Sequence, residues 1–426
     1  GSLAARIPVT GYAYQWMSRL ANPVLGWIMG WISFTFLAIV VVAVDYTIAS
    51  SVLPVLLDYT ATPNNDWVIT AIVLAAQALL VGFSTRWTER VNNFAVSAEL
   101  IGMVLLVLLL LVVGAVARDF HVGNLTSTGT VPRHGYLSFG DATHAGPWLL
   151  GTVLGAFTIV GFESAANLAE ETKDPARVVP RAMWQAVLAS GLLGFAFLVV
   201  VTLCAGNLGE LAKSSTPVAD VISHVLGREV GDALLVLVVV SIFACGLVIL
   251  MSAVRLVWAM SRDERFPAHR VWHRVSPRSH TPLAATGLVF VVAEVILGVF
   301  AHQTDALFSL FAAATLLPAV IYFAIVVLYA VKRRHLPQSH GFTLGRFEVP
   351  VLVLAIVWLV FELSIFRDAS FKKPWEYAAV MVLIGAVYLV ALLIRRGGPA
   401  GLAMPEMGSI DAALDSTTIP QQTERS

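Results

Sequence analysis

The chain has 426 residues, of which 58% are hydrophobic and 13% charged, and its mean hydropathy is +0.81. A soluble domain is nearer roughly 45–50% apolar and about 25% charged, so a soluble globular class is excluded. Basic and acidic side chains balance at 27 each, which leaves no global positive field for nucleic acid. The two cysteines, Cys204 and Cys245, are too few for a disulfide framework or a zinc site, and both fall in apolar runs as small core residues would.

In chain order, residues 1–20 are amphipathic and do not span. Ten apolar runs follow, at 24–46, 66–85, 94–116, 148–169, 182–206, 232–258, 282–301, 305–331, 348–366 and 375–394. Each approaches the ~20 residues that a helical bilayer crossing needs. The fold class is therefore an all-α integral membrane protein with ten transmembrane helices. Residues 1–396 form one transmembrane domain, and 397–426, rich in Gly, Pro, Ser, Thr and Gln, read as a disordered cytoplasmic tail. The outer segments 117–147 and 207–231 are long enough for short helices that cap an entrance. There is no phosphate loop, dinucleotide glycine motif or nucleophile elbow, and His and Cys never fall at metal-ligand spacing, so no enzyme, cofactor or metal is expected.

Orientation follows from loop charge. Eighteen Lys and Arg lie on the side that holds 170–181 and seven on the other, so both ends of the chain are read as cytoplasmic in a plasma-membrane protein.

The fourth run, "PWLLGTVLGAFTIVGFESAANLA", breaks the apolar pattern. Gly151, Gly155 and Gly161 weaken a helix. Thr158, Glu163, Ser164 and Asn167 make its inner half polar. Intramembrane ionisable groups face a cavity or a partner, and a helix interrupted near the midplane bares backbone groups that bind a small charged solute. Glu163 is thus either a site carboxylate or a structural one bonded to a neighbouring span. After it, Glu170 and Glu171 are placed to pair with Lys173, Arg177 or Arg181 across the bend, and Pro180 sits where the next helix can start. Glu99, in the third run, reads as a solvated or paired carboxylate. Asn124 opens an Asn-Leu-Thr sequon on an outer loop, a glycosylation acceptor in a secretory pathway.

Three stretches carry a resemblance. "GFESAANLAEETKDPARVVPRA" at 161–182 resembles the sixth-span signature of the amino acid–polyamine–organocation (APC) superfamily of permeases. "VRLVWAMSRDERFP" at 254–267 with "HTPLAA" at 280–285 resembles the end of that family's eighth span and the loop to its ninth, and "LAARIPVTGYAYQW" at 3–16 its second-to-third link. Order and spacing agree up to about residue 396. The resemblance implies a leucine-transporter-like fold of inverted repeats, and secondary active transport of amino acids by alternating access. A choline, polyamine or γ-aminobutyrate transporter is the alternative, and a non-transporting membrane partner protein the alternative of another class. It implies an amino acid or amine substrate, a lipid bilayer and a coupling ion, proton or sodium, as partners.

The family has twelve spans, and the ten here match its third to twelfth. The resemblance therefore implies an incomplete chain without the first span's Gly-Ser-Gly substrate motif, for which Gly1-Ser2-Leu3 is no substitute, and no uptake by a chain of this extent alone. Carried over by position, Phe157 closes over the substrate, Thr158, Ile159, Val160 and Gly161 form the unwound segment, and Phe162 and Glu163 follow, Glu163 as a coupling or gating group. Phe34, Cys245 and Ile249 are weaker candidates for the facing wall. Some family members carry a lysine in the fifth span that mimics sodium; the matching run here has Glu99 and no lysine.

Overall fold

A computed structural model of the chain describes residues 1–83, 85–214, 216–277, 279, 281–300, 306–336, 339 and 341–402. Among these, ten helices are long and apolar enough to cross a membrane, as the sequence leads one to expect. A short buried helix α1 (Tyr12–Leu20) leads into α2 (Pro23–Thr47). Then come α3 (Pro63–Phe83), α4 (Thr85–Ala117), the short α5 (Pro147–Thr158) and α6 (Pro175–Cys204). A short helix α7 (Pro217–Leu226) precedes α8 (Arg228–Arg262), α9 (Leu283–Phe300), α10 (Ala306–Lys332), α11 (Glu348–Ile365) and α12 (Lys372–Arg395). The protein is all-helical and integral to the membrane.

Helix starts follow local chemistry. Proline occupies the first turn of α2, α5, α6 and α7, where a missing N–H costs nothing. Asn22 caps α2 by accepting from Leu25 N at 2.8 Å. The start of α6 corrects the expectation for Pro180. The helix begins at Pro175, after Asp174 in a left-handed conformation, and Pro180 lies inside it.

α2 is the axis of the molecule. Every residue from Gly26 to Tyr46 is buried except Ile28 and Val44. Neighbours approach closely because small residues admit them, as is usual where lipid supplies no hydrophobic drive between helices. Gly26 lies against Ser18 of α1, Gly30 against Tyr14 and Met260, and Gly385 of α12 against the Trp31 ring. Trp27 and Trp31 stack with ring centroids 5.5 Å apart, and Trp31 Nε1 donates to Met381 O at 2.8 Å. The opposite faces of α4, α11 and α12 expose Leu, Val and Ile, a surface suited to lipid.

Segments 117–147 and 207–231 hold short helices, as expected: Val122–Thr126, Leu208–Leu211 and α7. Asn124, of the Asn-Leu-Thr sequon, is half-buried beside the end of α6. Its side-chain amide donates to the carbonyls of Thr202, Ala205 and Gly206, so it caps the end of α6. Cys204 is buried, but Cys245 is exposed and is not the core residue its apolar run suggests. Of the tail, Pro399–Leu402 form a 3₁₀ turn with Leu402 buried, while 403–426 lie outside the described residues.

Candidate functional site

The interruption expected in the fourth apolar run is present. α5 stops at Thr158. Ile159 N and Val160 N make tight turn bonds back to Ala156 O and Phe157 O. Gly161 adopts φ +99°, a left-handed conformation that glycine takes without strain. The chain resumes as a 3₁₀ helix, Phe162–Glu171. With about three residues per turn, Glu163, Ala166 and Ala169 share one face, and all three are buried.

Glu163 is 5% exposed and accepts a 2.6 Å hydrogen bond from Tyr322 Oη of α10. Phe162 packs on the Tyr322 ring, centroids 5.3 Å apart. Beside Glu163 lies a cavity of about 20 Å³, lined by Gly11, Tyr12, Ser33, Ser164, Asn167 and Leu256 among others. That is room for about one water. Ser33 Oγ is buried there without a hydrogen-bond partner among the described residues. Tyr12 overhangs the carboxylate from a strained turn, with φ +40° after Gly11 at +107°. Its phenol pKa is raised by burial and by the nearby charge of Glu163.

A polar lattice links α1, the 3₁₀ helix and the end of α8. Tyr14 Oη and Gln15 Nε2 donate to Asp263 Oδ2 at 2.8 and 3.1 Å. Burial and the adjacent Asp263 raise the Tyr14 pKa. Thr10 N donates to Glu170 Oε1 at 3.1 Å, and Arg262 approaches Glu170 at 3.6 Å. This corrects the expected pairing of Glu170 with Lys173, Arg177 or Arg181: the 3₁₀ winding turns Glu170 toward α1 and α8. Arg177 pairs instead with Asp174 at 3.7 Å. Arg265 is buried, and its carbonyl accepts from Trp27 Nε1 at 2.8 Å.

The expected site residues divide. Gly161, Phe162 and Glu163 converge with Tyr322. Phe157 packs edge-on against Phe311 of α10, centroids 4.6 Å apart, and Val160 packs on the core. Ile159 is half-buried in the turn. Thr158 points elsewhere: it is exposed and donates to Leu154 O at 2.8 Å. Phe34 belongs to an aromatic cluster with Trp31 and Phe266, while its neighbours Ser33, Phe36 and Leu37 line the cavity. Ile249 packs on the core, and Cys245 is exposed near Glu99 rather than Glu163. Tyr322 and Tyr12 escaped the sequence reading. Tyr12 stands inside the quoted "TGYAYQW", where the Gly-Tyr pair before a helix was the available signal, and Tyr322 follows Pro318 in an otherwise apolar run.

The site thus combines an interrupted span with a buried carboxylate, and comparison with known proteins shows what family carries it. The sequence pattern of the family described as "Amino acid permease" matches residues 1–388. An uncharacterized amino-acid permease of Schizosaccharomyces pombe is 26% identical, over 93% of this chain and 74% of its own length. Amino-acid permease 2 of Neurospora crassa has the same identity and coverage. The low-affinity putrescine importer PlaP of Escherichia coli is 26% identical, over 70% of this chain and 62% of its own. With nearly its whole described length inside that pattern, the chain belongs to the amino acid permease family, a branch of the APC superfamily.

Proposed function

We propose that this protein carries amino acids across the cell membrane by secondary active transport with alternating access. The observation that carries the reading is the break at Ile159–Gly161 beside the buried Glu163–Tyr322 pair. A helix end at mid-span bares N–H and C=O groups to a solute, and family membership supports a solute of the amino acid class. Phe157, Thr158, Ile159, Val160, Gly161, Phe162 and Glu163 form the moving wall. The Tyr14–Asp263 and Glu170–Arg262 contacts are the inner latch, and the small cavity is the closed state of the path. The loop charge of eighteen against seven supports a cytoplasmic location for this latch.

The test is uptake of labelled amino acids by the protein expressed from its full open reading frame and reconstituted in liposomes. Saturable uptake that Gly161→Pro abolishes is expected, and wild-type uptake equal to empty vesicles refutes the reading. A polyamine substrate is the second reading. Glu163 has no basic partner among its hydrogen bonds, which suits a cation, and the relative PlaP is named a putrescine importer. Labelled putrescine in the same assay separates the two.

A further inference from the structure

A second carboxylate is buried within the spans, apart from the Glu163 cavity. Asp45 of α2 has no exposed surface. Its Oδ1 accepts from Gln77 Nε2 of α3 at 2.8 Å, and the same Nε2 donates to the carbonyl of Phe243 in α8 at 3.0 Å. Both amide hydrogens of Gln77 are thereby used. Two acceptors remain, Asp45 Oδ2 and Gln77 Oε1, each buried and without a hydrogen-bond partner among the described residues. α8 comes this close only because residue 246 is glycine: a Cβ there would overlap the Asp45 carboxylate and the Gln77 amide. Three spans thus meet around two acceptors that lack a donor.

Charge makes the imbalance sharper. The surroundings that act on Asp45 are burial and the Gln77 amide, with no basic side chain among them. On its own helix, Tyr46 Oη points to Asp66 of α3, 3.4 Å away. On α8, Cys245 is within electrostatic reach of Asp45 and also of Glu99 on α4. An ionised carboxylate in such a place is strongly disfavoured, and a buried acid neutralises instead. A metal cation would want a shell of several oxygens, and only two are unengaged. One proton on Oδ2 removes the charge and converts an acceptor into a donor.

We propose that Asp45 is a proton-binding site: it holds a proton on Oδ2 in this conformation, and its loading and release couple proton movement to transport. The coupling clause rests on the transporter reading above, and the protonation clause does not.

The experiment pairs infrared spectroscopy with transport, using full-length protein in lipid. Asp45→Asn keeps the shape and supplies an N–H where the acid O–H stood. At pH 7 the wild type is expected to show a carboxylic-acid C=O band that is lost in Asp45→Asn. Loss of an ionised-carboxylate band instead overturns the proposal, and a sodium-dependent change in that band reassigns the junction to a metal cation. Gln77→Ala leaves Asp45 in place and is expected to shift the same C=O band, so the assignment stands even if the Asn variant folds poorly; an unmoved band overturns it. In liposomes an inward proton gradient is expected to stimulate wild-type uptake, with that stimulation lost in Asp45→Asn. Stimulation retained by the variant refutes coupling through Asp45. If the wild type moves no amino acid or putrescine, the transporter reading fails, while the infrared result still decides the protonation.

Discussion

α2 and α5, the helix before the break, are similar in apolar composition, yet they are packed in opposite ways. α2 runs unbroken for 25 residues and is buried on nearly every side, its glycines filled by neighbouring atoms. In α5 only Leu149 and Ala156 are buried, and a Cβ at Gly151 or Gly155 would touch nothing within 4 Å. Glycine in α2 makes room for close packing, whereas glycine in α5 loosens the helix. Apolar content alone therefore does not say whether a span is packed on all sides or only loosely; what surrounds its small residues does.

That contrast can be broken experimentally. The largest effect is expected in α2. Gly26→Ala drives a Cβ into Ser18, whose Cα would lie 2.7 Å away, and overpacking of this kind costs about 1–3 kcal/mol. Thermal unfolding in detergent is expected to fall by several degrees; an unchanged melt would mean that α1 is not fixed on α2.

Next comes the contact between Glu163 and α10. Glu163→Ala leaves the Tyr322 hydroxyl unpaired in a buried place, at about 1–3 kcal/mol. Glu163→Gln keeps an acceptor and is expected to melt near the wild type while changing the pH profile of uptake. A Gln profile that overlays the wild type makes Glu163 structural only.

The N-terminal end of α5 is tied down by Asp368, which accepts from Ala145 N at 2.6 Å and from Ser370 N at 2.9 Å. Burial acts to raise its pKa, but these bonds and the Ser370 hydroxyl outweigh it, and the folded value is lowered. The sign is that of a depressed acid. Its stabilisation is full above the ordinary aspartate range, and it disappears as the pH falls through the lower folded value. Asp368→Asn is expected to remove this part of the acid sensitivity; equal acid melts for the two proteins would contradict it.

A smaller change is expected for Gly155→Ala, worth roughly 0.5–1 kcal/mol in favour of the helix. It should raise the melting temperature slightly and slow uptake, as a stiffer hinge would. The smallest stability effect belongs to Glu170→Ala at the latch, since a half-exposed ion pair contributes about 0–1 kcal/mol. Its readout is access: in a background with both native cysteines replaced, thiol labelling of Ser164→Cys from the latch side is expected to speed up when Glu170 is removed.

Much of this was legible in the residues. Ten apolar runs of the right length gave ten spans, and the glycines with polar Ser164 and Asn167 located the break. Partnerships across long separations were not legible. Tyr322 lies 159 residues from Glu163, and Gln77 is 32 from Asp45; nothing in local periodicity says which faces of two apolar helices meet. The latch was misread for another reason. Glu170 has three basic residues close behind it in sequence, and only the 3₁₀ winding, invisible in composition, aims it at Arg262.

That winding also sets a length. A 3₁₀ helix rises about 2.0 Å per residue, against 1.5 Å in an α-helix. The ten residues from Phe162 to Glu171 therefore span about 20 Å where α winding would span about 15 Å. Rewinding this segment as α-helix would draw Glu163 and Glu170, seven residues apart, about 3.5 Å closer together.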